Sequence, residues 1–239
     1  FKIFCMRIRF FDRPGLWALC LSVLGMIGSC VCVVAETRSE IPRLLLDIGN
    51  VALREKSPTV LERRAALIDH KALKQVRTNG AKLKLNLFPE TQFVAVVEQV
   101  LQRSDSSYTL TGYLEGERDS SFVAAVQDNA VAMNVRSKDG ELLQVSYLQD
   151  GIHEVRKIDQ SQFPPCATGP EHSVNAEPVE QDPPVESDTS SFIDVMVVYT
   201  EAARTAAGGE SAIQSRIQLA LAESNLAYEL SQVGARLRL

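Results

Sequence analysis

Seven short β-rich runs between residues 80 and 159, separated by turn residues, constrain this chain more than any other feature. Over residues 83–87 leucine alternates with lysine or asparagine, which is the period of a strand with one buried face. Asp-Gly pairs at 139–140 and 150–151 separate later runs, and glycine there reaches the positive φ of a hairpin turn without steric cost. The pattern predicts an antiparallel sheet or small sandwich. Its other predicted strands are 93–101, 108–114, 122–126, 131–135, 142–147 and 152–158.

The segments on either side of this region differ from it in composition. Residues 36–79 have mixed charge and place apolar side chains such as Leu44, Leu45 and Ile48 at helical spacing, so we predict a helical lead-in. Residues 160–191 carry six prolines among Ser, Thr, Glu and Asp, and no Lys or Arg. Such a composition cannot bury a core, so we predict an extended acidic linker that is open to proteolysis.

From residue 192 the sequence again predicts a folded unit. Residues 192–199 are mostly apolar and predict a buried strand, and residues 235–239 alternate in polarity as a second strand does. Two helices are predicted between these strands, the first over residues 201–207. The order strand, helix, helix, strand is typical of the opening of an α/β layer.

Local signals mark the ends of these two helices. Thr200 is placed to cap the first helix, and Gly208-Gly209 ends it. Ser211 and Gln214 have the spacing of a capping box for the second, longer helix. The face of the longer helix that we predict to be buried consists of Ile213, Ile217, Ala220, Leu221, Ala227 and Tyr228.

Residues 1–35 have the pattern of a cleaved export signal. A basic segment precedes an apolar run at residues 16–35, and the small side chain of Ala35, with Glu36 following, suits cleavage between them. The apolar run is also long enough, at roughly 20 residues, for a retained membrane anchor. A third alternative is lipid attachment at Cys30, which follows Ile-Gly-Ser. Each alternative predicts a secreted or cell-envelope protein.

Composition excludes several classes of protein. The 239 residues carry a net charge of -5, which argues against a nucleic-acid partner bound through a broad basic surface. A hydrophobic content of 45% argues against a wholly disordered chain. Four of the five cysteines lie in the first 32 residues, so removal of the signal leaves Cys166 alone and allows no internal disulfide framework.

Two stretches of the sequence are similar to sequences of a known protein family. Residues 192–200 (Phe-Ile-Asp-Val-Met-Val-Val-Tyr-Thr), the long helix and residues 233–239 (Val-Gly-Ala-Arg-Leu-Arg-Leu) resemble the opening of a metzincin catalytic domain. The group they resemble is the bacterial secreted reprolysin-like (adamalysin-type) zinc metallopeptidases. Residues 147–156 and 158–165 are similar to the prodomains that precede such domains.

This resemblance implies an α+β chain, in which a β-rich antiparallel prodomain precedes the truncated start of an α/β metzincin-like catalytic domain. The domains expected are a signal peptide at 1–35, the lead-in at 36–79, the prodomain at 80–159, the linker at 160–191 and the start of the catalytic domain at 192–239. We expect the chain to be a fragment of a longer secreted precursor. In the whole protein the partners implied are protein or peptide substrates, and the prodomain is a partner of its own catalytic domain.

The chemistry of the family requires the motif His-Glu-x-x-His-x-x-Gly-x-x-His, in which the histidines bind zinc and the glutamate is the general base for the zinc-bound water. This chain has three histidines, His70, His153 and His172. His153-Glu154 begins the motif, but Lys157 stands where the second histidine is needed. Zinc is therefore implied by the resemblance alone, its catalytic ligands are not in this sequence, and we expect the fragment to be inactive.

Cys166 is the residue to which the resemblance gives a metal-binding role. Latent relatives bind zinc with a prodomain cysteine thiolate until the prodomain is cut away, and Cys166 lies between the two predicted domains. The surrounding Pro-Pro-Cys-Ala-Thr-Gly lacks the basic residues of well-known switches, so an incidental free thiol or an intermolecular disulfide stay open.

A second function class also fits the sequence. In it the chain is a non-enzymatic exported β-rich binding module or a lipoprotein, and residues 192–239 are an accessory unit. The gene downstream of Leu239 distinguishes the two classes. A three-histidine zinc motif about 70–120 residues further on supports the peptidase, because catalytic domains have about 100–200 residues.

Overall fold

The computed structural model of the chain describes residues 40–49, 51, 53, 56–163 and 191–239. Its strands are β1 (Leu45–Asp47), β2 (Val60–Ile68), β3 (Lys82–Asn86), β4 (Gln92–Gln102), β5 (Ser107–Leu114), β6 (Glu117–Gln127), β7 (Ala130–Arg136), β8 (Leu142–Gln149), β9 (Ile152–Ile158), β10 (Phe192–Asp194) and β11 (Arg236–Arg238). Its helices are α1 (His70–Gln75), α2 (Glu201–Ala207) and α3 (Glu210–Leu230), and a short 3-10 turn lies at Gln160–Gln162.

Nine strands, β1 to β9, form one antiparallel sheet in the order β1-β2-β9-β8-β7-β6-β5-β4-β3. From β3 to β9 each strand pairs with the next strand of the chain, as the turn signals between residues 80 and 159 predicted. Gly140 and Gly151 have the expected positive φ, at 83° and 78°. The structure therefore confirms the prediction of a β-rich antiparallel sheet.

The predicted helical lead-in over residues 36–79 is wrong in the part that the structure describes. β1 and β2 are strands, and only α1 is helical. β2 pairs with β9 along most of its length, so long-range sheet pairing outweighs the helical spacing of local apolar residues. α1 begins after Asp69, whose carboxylate accepts the N–H groups of Lys71 at 2.9 Å and Ala72 at 3.1 Å.

The two ends of the sheet meet, so the sheet is nearly closed. Lys84 N in β3 donates to Pro42 O at 2.8 Å, and Leu44 N donates to Lys84 O at 2.9 Å. The Asn86 side chain extends this pairing, because it accepts from Leu45 N at 3.0 Å and donates to Leu45 O at 2.9 Å. These bonds satisfy backbone groups that an open sheet edge leaves unpaired.

The inner face of the nearly closed sheet encloses the main hydrophobic core. Strands from all parts of the sheet contribute, α1 adds Ala72 and Leu73, and Val76 follows directly after the helix. Its largest fully buried apolar side chains are Leu44, Leu73, Leu83, Leu85, Leu87, Tyr108, Leu110, Leu114, Phe122, Met133 and Leu143. The inner face therefore stabilises the fold, and the surfaces open to a partner lie on the outside.

His153 is a buried polar residue of β9 that joins three strands. Its Nε2 accepts from Val131 N in β7 at 3.0 Å, beyond the end of the β7–β8 ladder, which begins at Met133. Its Nδ1 lies 2.9 Å from Gly151 O, so the ring carries its proton on Nδ1 and donates it to this carbonyl. Tyr147 of β8 packs edge-on against the ring at 5.2 Å.

Residues 191–239 form a second, smaller layer. β10 and β11 pair in parallel, and α2 and α3 connect them in the predicted order. Thr200 caps α2 by accepting Ala203 N–H at 3.2 Å, as predicted, and Gly208 ends α2 at a φ of 102°. In the part of the chain that the structure describes, no helix has the length and apolar character needed to cross a bilayer.

The buried strand predicted over residues 192–199 is wrong in both length and burial. β10 has three residues, all exposed. Farther along, Met196 and Val198 are 87% and 79% exposed. Among the described residues β10 pairs with β11 alone, so its apolar side chains have no opposing layer.

Acidification should destabilise this fold through His153. Burial lowers the pKa of His153 from 6.5 to about 4, the bond to Gly151 O opposes this, and nearby His70 lowers the pKa further. The unfolded chain therefore binds more protons between these values. The stabilisation is complete above pH 6.5 and is lost as pH falls toward 4, which lowers the free energy of unfolding by about 3 kcal/mol.

Urea unfolding at several pH values between 4 and 7.5 measures this dependence. His153→Gln keeps a hydrogen-bonding side chain that does not titrate. It should remove most of the dependence of the unfolding free energy on pH over this range. A residual slope of the same sign is expected from His70, whose pKa burial also lowers. An unchanged slope in His153→Gln contradicts the assignment.

Candidate functional site

The outer face of β6 and β7 is lined with small side chains and is covered by α3. We call it the docking face, and its residues are Val123, Ala125, Ala130, Ala132 and Asn134. Its four apolar members are at most 2% exposed. Successive strand residues point to opposite faces, so the neighbouring Phe122, Ala124 and Val126 fill the inner core instead. Small side chains on this face leave room for a helix to lie close to the sheet.

Two apolar clusters join α3 to the sheet. In the first, Leu219, Ala222 and Leu226 pack against Val123, Ala125 and Ala132, and in the second, Ala212, Ile213 and Ile217 pack with Ala130, Tyr147 and Ala207. Leu219 is 8% exposed, and burial of such a side chain stabilises a fold by about 2 kcal/mol. The contact is therefore a packed hydrophobic interface.

The face of α3 that the sequence predicted to be buried is only partly right. Ile213 and Ile217 lie in the interface, whereas Ala220 and Ala227 are exposed. The helix has apolar residues on more than one face, because it also contacts β11. Asn225 makes that contact by donating to Leu237 O at 3.0 Å and accepting from Leu237 N at 2.7 Å. The larger sheet therefore takes a face rotated from the predicted one.

Hydrogen bonds between side chains position α3 along the docking face. Asn134 Nδ2 donates to Glu223 Oε1 at 2.6 Å, near the middle of the helix. Ser211 Oγ donates to Asp128 Oδ2 at 2.7 Å, in the first turn of the helix. The two contacts lie at separate points along the helix axis, so together they resist both sliding and rotation of α3.

Asp128, at the turn between β6 and β7, supplies a negative charge to the start of α3. Its backbone has a φ of 53°, and its carboxylate also accepts from Ser106 Oγ at 2.9 Å. Bonds from Ser211 and Ser106 hold the pKa of the Asp128 carboxyl below its ordinary value. The N-cap of α3 is Gly209, which has no side chain, so the predicted Ser211 capping box is wrong. Ser211 bonds to Asp128 instead, where a carboxylate suits a helix N-terminus.

The corner between α2 and α3 sits directly on β8. At Gly208, a Cβ atom would lie 2.3 Å from Leu148 O and 3.1 Å from Tyr147 Cδ1. Gly208 also has the left-handed backbone conformation that favours glycine. Both its φ and its close approach to β8 therefore require glycine at this position.

The strand pair on the far side of α3 combines a backbone ladder with an ion pair between its two strands. Arg238 donates two hydrogen bonds to the Asp194 carboxylate, at 2.7 Å and 3.2 Å, and its guanidinium lies 5.1 Å from the centre of the Phe192 ring. This bidentate pair holds the pKa of the Asp194 carboxyl below its ordinary value. Asp194 and Arg238 are directly paired positions of the two parallel strands, whereas the apolar side chains of Phe192 and Ile193 in β10 stay exposed.

Most of the site residues predicted from sequence lie outside the described residues. These are Cys166, Cys30, Ala35 and Glu36. His153-Glu154 is described, and it lies in β9 as expected of a false zinc motif. Both ring nitrogens of His153 already have hydrogen-bond partners inside the sheet, so this histidine is not available to bind a metal.

A resident zinc does not fit the described side chains. Within residues 40–49, 51, 53, 56–163 and 191–239, no three His, Cys, Asp or Glu side chains gather where they could bind a metal ion. Zinc sites in proteins use three or four such ligands at about 2.0–2.3 Å. This part of the chain therefore offers a helix-binding surface and no catalytic metal centre.

Sequence reasoning missed the docking face, although a signal for it was present. Residues 122–126 read Phe-Val-Ala-Ala-Val, with no polar residue in alternation, and 130–133 are equally apolar. A strand with one solvent-exposed face alternates between apolar and polar residues, whereas a continuous apolar run indicates burial on both faces. The continuous apolar run therefore indicated that a second layer covers the outer face of β6 and β7 as well.

Gly208→Ala should detach the α2–α3 corner from β8. The Cβ would collide with Leu148 O at a backbone angle that alanine tolerates poorly, so we expect a loss of about 3 kcal/mol in unfolding free energy. Hydrogen exchange should show faster exchange in α2 and α3 than in β4–β6.

Gly140→Ala is the matched control for Gly208→Ala. Gly140 has a φ of 83° but no atom within 4 Å of the added Cβ, so it introduces the backbone strain without the collision. We expect it to cost about 1 kcal/mol and to leave α3 protected. Equal effects of the two substitutions on α3 would contradict the docking role of Gly208.

No family model matches the chain. It is 31% identical over 149 residues to the peptidyl-Asp metalloendopeptidase of Stenotrophomonas maltophilia strain K279a, a match that covers 57% of this chain and 34% of the relative. The protein of the same name from strain R551-3 is 32% identical over 144 residues, with the same coverage of 57% and 34%.

The chain therefore spans about a third of the length of these curated relatives. A solved structure described as a chaperone-substrate complex matches with a TM-score of 0.36 and 12% identity, over 52% of this chain and 91% of that chain. That likeness is too low to bear on function. The two sequence matches support a relationship between this chain and metallopeptidases.

Proposed function

We propose that this chain is the N-terminal part of a secreted zinc metalloendopeptidase precursor of the reprolysin-like metzincin type. In it the nine-stranded sheet is the prodomain, and residues 192–239 are the start of the catalytic domain. The observation that carries the proposal is the packing of α3 on the docking face. A prodomain is expected to bind its catalytic domain, and α3 is the part of the proposed catalytic domain that the sheet contacts.

The unequal packing of the two layers supports this division. The sheet has its own core, with the side chains of its inner face buried. The smaller layer instead leaves apolar side chains exposed, among them Phe192 at 59%, Met196 at 87% and Leu230 at 75%. A helix is stabilised mostly by packing of its apolar face, so α3 depends on the sheet more than the sheet depends on α3. This is the relation expected between a prodomain that assists folding and the catalytic domain that folds on it.

The names of the relatives supply the chemistry of the proposal. Metalloendopeptidases cleave peptide bonds, so the substrates proposed for the whole protein are proteins or peptides. Zinc, when bound, activates a water molecule for attack on the peptide bond. Its histidine ligands are proposed to lie in catalytic-domain sequence beyond residue 239, and Cys166 is proposed as the ligand that keeps the precursor latent.

Export of the precursor is part of the same proposal. The signal at residues 1–35, with cleavage between Ala35 and Glu36, delivers the chain to the medium or the cell envelope. Lipid attachment at Cys30 is the alternative that retains the protein at the envelope. Either route takes the chain out of the reducing cytoplasm, where the acidic linker between prodomain and catalytic domain can be cut by another protease.

The gene continuation and the full-length protein test this function. We expect a His-Glu-x-x-His-x-x-Gly-x-x-His motif downstream, about one zinc bound per chain, and peptide hydrolysis that a chelator abolishes and zinc restores. Cys166→Ser should raise activity before cleavage, whereas Thr168→Ser, two residues away, should not. A continuation without the three histidines would overturn the peptidase and leave an exported binding module. Unchanged latency in Cys166→Ser would remove only the switch.

A further inference from the structure

One apolar cluster under the start of α3 lies beside a buried histidine. We call it the corner cluster, and it consists of Ala130, Tyr147, Ala207, Ala212, Ile213 and Ile217. Its two sheet residues are Ala130 in β7 and Tyr147 in β8. His153, which is fully buried in β9, bonds to the backbone next to the first and packs against the second. Both sheet residues that contact the start of α3 are therefore supported by this histidine.

The first contact is a hydrogen bond that a neutral imidazole alone can make. His153 Nε2 accepts from Val131 N at 3.0 Å, and Val131 directly follows Ala130 of the corner cluster. Nδ1 donates to Gly151 O at 2.9 Å, so Nε2 is the acceptor of the ring. A protonated ring has a donor at each nitrogen, so its Nε2–H would face the Val131 N–H and leave that buried group without its acceptor. Protonation therefore disturbs the backbone at the edge of the corner cluster.

The second contact is between two rings. The Tyr147 ring packs edge-on against His153 with the ring centres 5.2 Å apart, and it also packs in the corner cluster. Gly208, at the end of α2, approaches so closely that an added Cβ would lie 3.1 Å from Tyr147 Cδ1. Tyr147 therefore separates His153 from the α2–α3 corner. If the corner moves away, Tyr147 is free to rotate and water can reach the imidazole.

The surroundings of His153 oppose its protonation. Neighbouring elements present Ala66 of β2, Val131 of β7, Tyr147 of β8 and His70 of α1. Burial is the main cause that lowers the pKa of His153 to about 4, and the charge of His70 lowers it further. Beside His70, Lys74 and Asp69 act on its own pKa in opposite directions. Glu154, the next residue of β9, points to the opposite face of the sheet.

We propose that protonation of His153 and attachment of α3 to the sheet exclude each other, so that mild acid releases the start of α3. While α3 is attached, Tyr147 keeps water from the imidazole, and the neutral ring holds Val131 in place. When α3 is detached, water reaches the ring, which then takes up a proton more readily. Because linkage is reciprocal, the same proton weakens the attachment.

The pH range of this switch follows from the two states of the ring. The attached form takes up the proton at a pKa of about 4, whereas a solvated imidazole does so near 6.5. The attachment is therefore complete above pH 6.5 and weakens as the pH falls toward 4. If the detached ring is fully solvated, the equilibrium constant for detachment is about 30-fold larger at pH 5 than at pH 7.5.

This linkage would regulate the proposed precursor, a consequence that rests on the proposed function. In an acidic medium the sheet would hold the start of the catalytic domain less tightly, so release of the prodomain would depend on the pH outside the cell. The linkage itself needs only the sheet and α3. Its test is therefore independent of zinc and of peptidase activity.

An NMR titration of the His153 imidazole in the full chain tests the proposal, with the signal assigned by its absence in His153→Gln. In the unmodified chain we expect a pKa of about 4. Gly208→Ala, which should detach the α2–α3 corner, should move this pKa toward 6.5. Gly140→Ala is the matched control, because an added Cβ there has no atom within 4 Å. It should leave the pKa of His153 at about 4.

Leu219→Ala is a second variant, and it alters no neighbour of His153. Leu219 belongs to the other apolar cluster of the docking face, so its truncation weakens the attachment of α3 and leaves the corner cluster unchanged. We expect faster hydrogen exchange in α3, continued protection of β4–β6 and again a higher pKa of His153. A pKa that stays near 4 in a variant whose α3 has lost protection overturns the proposal, as does an equal rise in Gly140→Ala.

Discussion

The contact between α3 and the small side chains of β6 and β7 is the interaction on which the rest of the structure depends. Without α3, Val123, Ala125 and Ala132 would form an apolar stripe on the outside of the sheet. Without the sheet, the second layer would lack its largest packed surface, because its own two strands have three residues each, with β10 exposed throughout and β11 only half-buried at Arg236 and Leu237. Each layer therefore supplies the apolar face that the other lacks, and only the sheet has a complete core besides.

The interior of the sheet and the docking surface are connected through Tyr147. Its ring packs against buried His153 on one side, and on the other it lies in the cluster that holds Ala207 and Ile213. Gly151 N donates to its hydroxyl at 3.3 Å. Because protonation of His153 disturbs the ring contact and the bond to Val131 together, mild acid should loosen the α2–α3 corner as well as the sheet.

Sequence alone predicted what depends on neighbouring residues and missed what depends on distant ones. The seven strands β3–β9 were predicted because each is a short β-rich run that pairs with its neighbour in the chain over a connection of two to five residues, two of which carry an Asp-Gly turn signal. β2 was missed because its partner β9 lies far along the chain, and helical spacing was the stronger local pattern. Ser211 likewise satisfied a local capping pattern, yet it bonds to Asp128, 83 residues away. The face of α3 that is buried differs from the predicted one because it is set by contact with the docking face. In the sequence, the only sign of that contact was the continuous apolar run in β6 and β7.

Native-state hydrogen exchange of the unmodified chain tests the central claim most directly. If the sheet holds α3, the amides of α3 from Ile213 to Leu226 should exchange with nearly the same opening free energy as those of β6 and β7, and both should respond alike to low concentrations of urea. A single cooperative unit of this kind is what the account predicts. Exchange of α3 at a free energy several kcal/mol below that of the sheet, with no dependence on urea, would mean that the helix opens by itself and that the sheet does not hold it.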